Sequence, residues 1–214
     1  MAIEKHTTYF NFLDALKEHG CPLCRLSDRS VYSYFDAFLF ENVTDQEVST
    51  KIRSAGGFCK AHAKKLVEFN DALAISLVYE ALIYDLVSGK DGIAFAKGSR
   101  CPACSVEQES EERQLKAFGD YFTEKEFEEA YLKSDGFCVA HLKQVLPLIK
   151  KKEVLKKVAD KERGTLIKLQ EELKEFIRKN DYRFSKEAWG AEKDSWRRAV
   201  TKLIGNDSMK EKLK

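Results

Sequence analysis

Cys21-Pro22-Leu23-Cys24 is answered downstream by Gly57-Phe58-Cys59-Lys60-Ala61-His62. The pair returns as Cys101-Pro102-Ala103-Cys104 and Gly136-Phe137-Cys138-Val139-Ala140-His141. Between Cys24 and Cys59 lie 34 residues, and between Cys104 and Cys138 lie 33. All 6 cysteines fall in these motifs, and 2 of the 4 histidines stand three residues after a motif cysteine. A Cys-x-x-Cys turn aims two sulfurs at one point, and its proline fixes one backbone dihedral. Cysteine and histidine three apart share a helix face. In a first helical turn, the positive end of the macrodipole favours the thiolate. Gly57 and Gly136 permit a tight entry to that turn. The pattern predicts two tetrahedral metal centres, each of three Cys and one His.

Local closure assigns Cys21, Cys24, Cys59 and His62 to one centre, and Cys101, Cys104, Cys138 and His141 to the other. Closing a loop of this length costs little more than closing a shorter one. Exchange of ligand pairs between the two copies is the alternative. Two zinc ions are the favoured cofactors; iron–sulfur clusters stay open, because thiolates suit both. Arg25, Lys60 and Lys64 are expected to offset the thiolate charge in the first copy, and Arg100 and Lys143 in the second.

Other cysteine chemistries fit less well. Disulfide frameworks belong to small secreted chains; this chain has 214 residues, and Met1 to Lys17 lacks a signal-peptide apolar core. Dithiol redox motifs want a βαβ context, and none is legible. Covalent haem needs histidine directly after the second cysteine, where Arg25 and Ser105 stand.

Hydrophobic residues make up 43% and charged residues 34% of the chain, a balance that fits a globular protein with a charged surface. No run of 18 apolar residues suggests a membrane span, and the expected location is the reducing cytoplasm. Only 3 prolines occur, which favours long helices. Net charge is +2, yet residues 150–214 hold 20 basic and 12 acidic residues.

Helical spacing runs through Phe10, Leu13 and Leu16, then through Val31, Tyr32, Phe35, Phe38 and Leu39. Thr44-Asp45-Gln46-Glu47 has the form of a capping box, and Thr123-Glu124-Lys125-Glu126 repeats it 79 residues later. Phe58 is expected to start the helix that carries Cys59 and His62. Residues 72–87 are apolar over most of their circumference, which predicts a central buried helix. Ser88 to Arg100 reads as a loop, with a brief extended piece at Ile93-Ala94-Phe95. Residues 150–180 read as one long charged helix with a bend at Gly164. Trp189 and Trp196 are expected to dock the C-terminal tail. The fold class is all-α, with about eight or nine helices. It comprises duplicated helical units, each anchored by a metal site, and a C-terminal helical extension. The expected division is 1–70 (first repeat), 71–149 (second repeat with its leading buried helix) and 150–214 (basic extension).

The duplicated motifs resemble those of a family of uncharacterised bacterial and archaeal proteins. Glu192-Lys193-Asp194-Ser195-Trp196-Arg197-Arg198-Ala199 is similar to that family's C-terminal segment. The resemblance implies an arrangement of motifs and no activity.

No Glu-x-x-His pair, phosphate-binding glycine loop or Gly-x-Ser-x-Gly motif is present. His6 and His19 stand alone, and Glu80 and Asp85, five apart, read as structural. The favoured function is a non-enzymatic zinc protein that acts through a protein partner. An iron–sulfur electron-transfer or sensor protein is the second reading. A nucleic-acid-binding module using 150–214 is the third.

Overall fold

Pro22 and Pro102 each open a long helix, at the one helical position where a missing N–H costs nothing. The computed structural model describes residues 6–88, 93–94, 98–184 and 186–205. Among these residues there are ten α-helices and no strand. They are α1 (Thr7–Lys17), α2 (Pro22–Ala37), α3 (Gln46–Ser54), α4 (Lys60–Glu68), α5 (Ala72–Val87), α6 (Pro102–Tyr121), α7 (Lys125–Lys133), α8 (Val139–Val145), α9 (Lys152–Lys179) and α10 (Ser195–Ile204). The all-α expectation holds, with slightly more helices than expected. Phe95 and Met1 to Lys5 lie outside the described residues, and Ile93 and Ala94 form no regular element.

The duplication is larger than the motifs suggest. Helices α2 to α5 are followed in the same order by α6 to α9, whose first residues lie 79 or 80 positions further on. The first repeat therefore runs through α5 instead of stopping at residue 70. By position, α5 corresponds to the first part of α9. The described residues also form two compact units that cut across the repeats. One holds 6–26 and 112–205, the other 27–111. Both boundaries fall inside helices, after Leu26 in α2 and after Glu111 in α6. These boundaries differ from residues 70 and 149, which divide the chain by motif copy.

Each unit is held by an aromatic core. In the unit of residues 27–111, Phe58 packs edge-on against Phe35 at 5.2 Å and Phe38 at 5.9 Å between ring centroids. In the other, Phe118 meets Phe137 at 4.9 Å and Tyr131 at 5.2 Å. Phe38 corresponds to Phe118, and Phe58 to Phe137. Such edge-to-face pairs add about 0.5–1.5 kcal/mol beyond their burial. They fix the phenylalanine that directly precedes each Cys-x-x-His cysteine.

Several local expectations are corrected. The N-cap of α3 is Asp45, whose carboxylate accepts from the Val48 amide at 2.9 Å, so the capping function sits one residue past Thr44. Glu124 caps α7 with no side-chain bond, and the Thr123 hydroxyl turns back to the Asp120 carbonyl. Helix α4 starts at Lys60, with Cys59 as its N-cap. Helix α9 runs through Gly164 without interruption. Helix α5 is buried on one side only, at Ala74 and Leu82, and is no central helix. Trp189 docks on Phe176 at 5.2 Å, whereas Trp196 lies under the Arg197 guanidinium.

Glu162 of α9 is the one buried acid on which the second repeat's turn depends. It accepts from the Tyr131 hydroxyl at 2.5 Å, the Phe137 amide at 2.8 Å and Lys202 Nζ at 2.7 Å. Lys202 also donates to the Asp135 carbonyl at 2.9 Å, so α10 is tied to the same turn. Gly136 has φ +74°, and a Cβ there would stand 2.1 Å from Glu162 Oε1. Its hydrogen is required by backbone conformation and by the carboxylate together. At the corresponding place beside Gly57 stands Leu82. One repeat locks its Gly-Phe-Cys turn with charge, the other with an aliphatic side chain. Glu162→Ala strands a buried ammonium and a buried hydroxyl. It is expected to cost about 3–5 kcal/mol in urea unfolding, the range for a broken buried ion pair.

Candidate metal centres

The eight motif side chains do converge in two groups, but not in the local sets. One group is Cys21, Cys24, Cys138 and His141; the other is Cys59, His62, Cys101 and Cys104. The sequence-based assignment of each Cys-x-x-Cys to its own repeat's Cys-x-x-His is thereby corrected to the exchanged pairing. The cause is helix length. Cys24 and Phe38 are 14 residues apart on α2 and its π-helical continuation. That separation is about 21 Å at 1.5 Å per residue. Phe38 packs on Phe58, so the residue of this helical run that meets the Gly-Phe-Cys turn lies 14 positions along the chain from Cys24. The same count separates Cys104 from Phe118, which packs on Phe137. The end of each repeat's first helix that meets its Gly-Phe-Cys turn is thus not the end that carries its Cys-Pro-x-Cys. The exchanged groups each lie within a single compact unit.

Within each group the donor atoms lie within 4.8 Å of one another. Cys24 and Cys138 sulfurs are 3.8 Å apart, and those of Cys59 and Cys104 are 3.6 Å apart. His141 Nδ1 stands 3.4 Å from Cys21, 3.4 Å from Cys24 and 3.2 Å from Cys138. His62 Nδ1 stands 3.3 Å from Cys59, 3.3 Å from Cys104 and 3.7 Å from Cys101. None of the six cysteines, all of which are described, forms a disulfide. A disulfide needs sulfurs about 2.05 Å apart. Ligand bonds of about 2.3 Å to sulfur and 2.0–2.1 Å to nitrogen give tetrahedral edges of roughly 3.8 Å and 3.6 Å. The two groups have the size of a four-coordinate single-ion site.

Protonation in the groups is contested in the way expected of ligands gathered around one point. Hydrogen bonds from Cys21 and Cys24 hold Cys138 well below the usual thiol range, while Cys138 and Cys21 push Cys24 far up. Burial disfavours the His141 imidazolium, but contacts with Cys138 and Cys21 outweigh it and raise the group to about 10. Burial also opposes the Cys59 thiolate. The backbone amides of His62 and Ala61 and the neighbouring thiols prevail and lower it. Cys104 is pushed up to about 12 by burial and by Cys59 and Cys101. Burial lowers His62, which keeps its imidazole in the neutral form a metal takes. A dication accepting all three thiolates would end this competition for protons.

The surroundings differ. His62 Nε2 faces Glu107 Oε2 at 3.6 Å, an outer carboxylate of the kind that orients ligating imidazoles. At the other group the end of α10 closes in. Gly205, at φ +96°, leaves no room for a Cβ, which would meet Cys24 Sγ at 2.9 Å and Cys138 Sγ at 3.7 Å. Three of that group's ligands are buried, against only His62 in the other. Of the expected charge-offsetting residues, Arg25 is buried and engaged by Glu18 at 2.6 Å and the His19 carbonyl at 2.6 Å. Lys60, Lys64, Arg100 and Lys143 are exposed, and Arg100 donates to Gln108. Glu107, Glu162 and Gly205 were not singled out in sequence. Glu107 stands three residues after Cys104, one helical turn on, which is the only local signal among them.

The exposure difference predicts two-step metal loss. In a chelator titration of metal-loaded protein, the group of Cys59, His62, Cys101 and Cys104 should release first. Gly205→Ala should speed release from the group of Cys24 and Cys138 alone. Loss from Cys101 and Cys104 mutants can be used to assign the phases.

No solved structure matches the chain. Among curated proteins, it is similar to one from Caldicellulosiruptor sp. (strain Rt8B.4), named "Uncharacterized 23.9 kDa protein in xynA 3'region". The two are 31% identical over 182 residues, which cover 80% of this chain and 87% of the relative. A family model matches residues 8–93 and 96–210. Each matched segment carries one Cys-Pro-x-Cys and one Gly-Phe-Cys-x-x-His. The chain, with both its repeats, belongs to the family of unknown function DUF6062.

Proposed function

We propose that the protein binds two zinc ions, one in each exchanged Cys3His group, and that the ions are structural. The observation that carries this reading is the tetrahedral size of both groups. Four donors on separate chain segments, all within 4.8 Å, suit one ion. A cluster of two or four irons sets its terminal ligands on different metal atoms and so spreads them further. Four protein ligands also leave no open position for substrate, which suits a structural zinc better than a catalytic one. The ligands join the head of one repeat's first helix to the Cys-x-x-His helix of the other repeat. Removing an ion is thereby expected to loosen the tertiary structure and not merely silence a reaction.

With the metals assigned to structure, the activity falls to a macromolecular partner, and a protein fits better than nucleic acid. The basic residues of the C-terminal third are extensively paired within the chain. Arg178 meets Glu175 and Glu187, Lys179 meets Glu192, and Arg198 meets Glu172 and Asp194. Cations already engaged by carboxylates have less to offer a phosphate backbone.

Metal analysis of protein purified without oxygen tests the reading. About two zinc per colourless chain is expected, whereas a brown protein with iron and sulfide would overturn it. Cys24→Ser/Cys138→Ser should lose one metal, because both residues serve one ion. Cys24→Ser/Cys59→Ser should lose both. Each lost ion should lower Tm by roughly 10 °C or more, given the size of structural-zinc binding energies. A variant that loses its metal at unchanged Tm would refute the structural role.

A further inference from the structure

Helices α5 and α9 occupy corresponding places in the two repeats, and the same positions face outward in both. In α5 these are Leu73, Ser76, Leu77, Glu80, Ile83, Tyr84 and Val87. In α9 they are Glu153, Lys156, Lys157, Asp160, Arg163, Gly164 and Ile167. The second repeat thus carries an ordinary solvated face. The first carries a nearly uncharged seam, with Leu73 72%, Leu77 48%, Ile83 58%, Tyr84 62% and Val87 67% exposed. The packing of the repeat does not require apolar residues at Leu73, Leu77 and Ile83, since its counterpart folds with Glu153, Lys157 and Arg163 in their place, while Gly164 and Ile167 match Tyr84 and Val87.

We infer that the α5 face is a homodimer interface, seated against the same face of a second copy of the chain. Positions 73, 76, 77, 80, 83, 84 and 87 follow the three-four spacing of a helix-pairing seam. The exposed surface of the five large residues comes to roughly 500 Å² on this single helix, toward the upper end of the largest patch of a typical monomer. A standard interface buries about 800 Å² on each partner. The seam therefore supplies most of what one half of a stable dimer needs. Glu80 carries the seam's one charge, and its stem can lie along apolar surface with the carboxylate in water. Asp85 leaves the seam for the α3 side, where Arg53 binds it through two nitrogens. A seam so short of charge offers a charged partner nothing specific, whereas it is complementary to itself.

The test compares metal-loaded full-length protein with Leu73→Glu/Leu77→Lys/Ile83→Arg. These substitutions place on α5 the residues that α9 carries at 153, 157 and 163. Sedimentation equilibrium should find wild type dimeric in the micromolar range. The triple variant should be monomeric, with self-association weakened roughly 100-fold or more and Tm and helicity kept. Leu77→Lys alone should give a smaller loss in the same direction, and it serves if the triple variant does not fold. A monomeric wild type overturns the inference, as does a dimer that survives both sets of substitutions. A wild type that is monomeric in buffer yet sediments with neutral phosphatidylcholine vesicles would assign the face to lipid instead, which also overturns it.

Discussion

A helix is a rigid spacer, and here it decides which cysteines can meet. Fourteen residues separate the head of α2 at Cys24 from its aromatic tail at Phe38, and 14 separate Cys104 from Phe118. At 1.5 Å per residue this is about 21 Å, several times the span of any single-ion site. Once the tail is committed to Phe58 or Phe137 by aromatic packing, the head must find ligands elsewhere. The other repeat supplies them. The aromatic anchoring of this helix thus lies within a repeat, while the sulfur and imidazole groups come together between repeats. The two kinds of interaction lie at opposite ends of the same helix.

The direction of each ligand follows from its neighbours. Phe58 and Phe137 are pinned in aromatic clusters, which sets the adjoining cysteine at the N-cap of α4 or α8. From there its sulfur meets helix amides at the favourable end of the dipole. The histidine three residues on shares that face, so a single aromatic anchor orients two ligands. What differs is how the turn before the phenylalanine is held. Glu162, Tyr131 and Lys202 hold one through charge and hydrogen bonds, and Leu82 holds the other by contact alone. A charged network fixes geometry more strictly than an aliphatic contact, but it tolerates no missing member.

Much of this was legible in the sequence. The eight ligands, the helical class and the duplication all follow from residue type and spacing, because those signals are local. The pairing did not follow, although the helical spacing through Val31, Phe35 and Phe38, just after Cys24, contained the decisive length. Loop-closure entropy treats the intervening residues as a flexible chain, and a 16-residue helix is not one. Glu162 and Gly205 were illegible for another reason. Their roles depend on contacts more than 20 residues away in sequence, with Phe137 and with Cys24 and Cys138 respectively. Helix α5 misled because its composition is that of a buried helix. Only its neighbours reveal that half its apolar surface is left outside.

That last discrepancy separates what the fold needs from what it carries in addition. Duplicated helices at corresponding places form an internal control where the C-terminal extension does not reach, since each shows which residues the shared packing accepts. Between α5 and α9 the inward positions stay largely apolar, with Leu82 and Glu162 as the telling exception. There the second repeat has a carboxylate, and α10 supplies the lysine that pairs with it. The C-terminal extension thus stabilises the second repeat from within and covers the sulfurs of Cys24 and Cys138 through Gly205. Among the described residues the first repeat has no such extension, and its fourth helix ends with an apolar face outward. Leu73, Leu77 and Ile83 are exposed where the matching positions carry Glu153, Lys157 and Arg163, so their apolar character is no demand of the common fold.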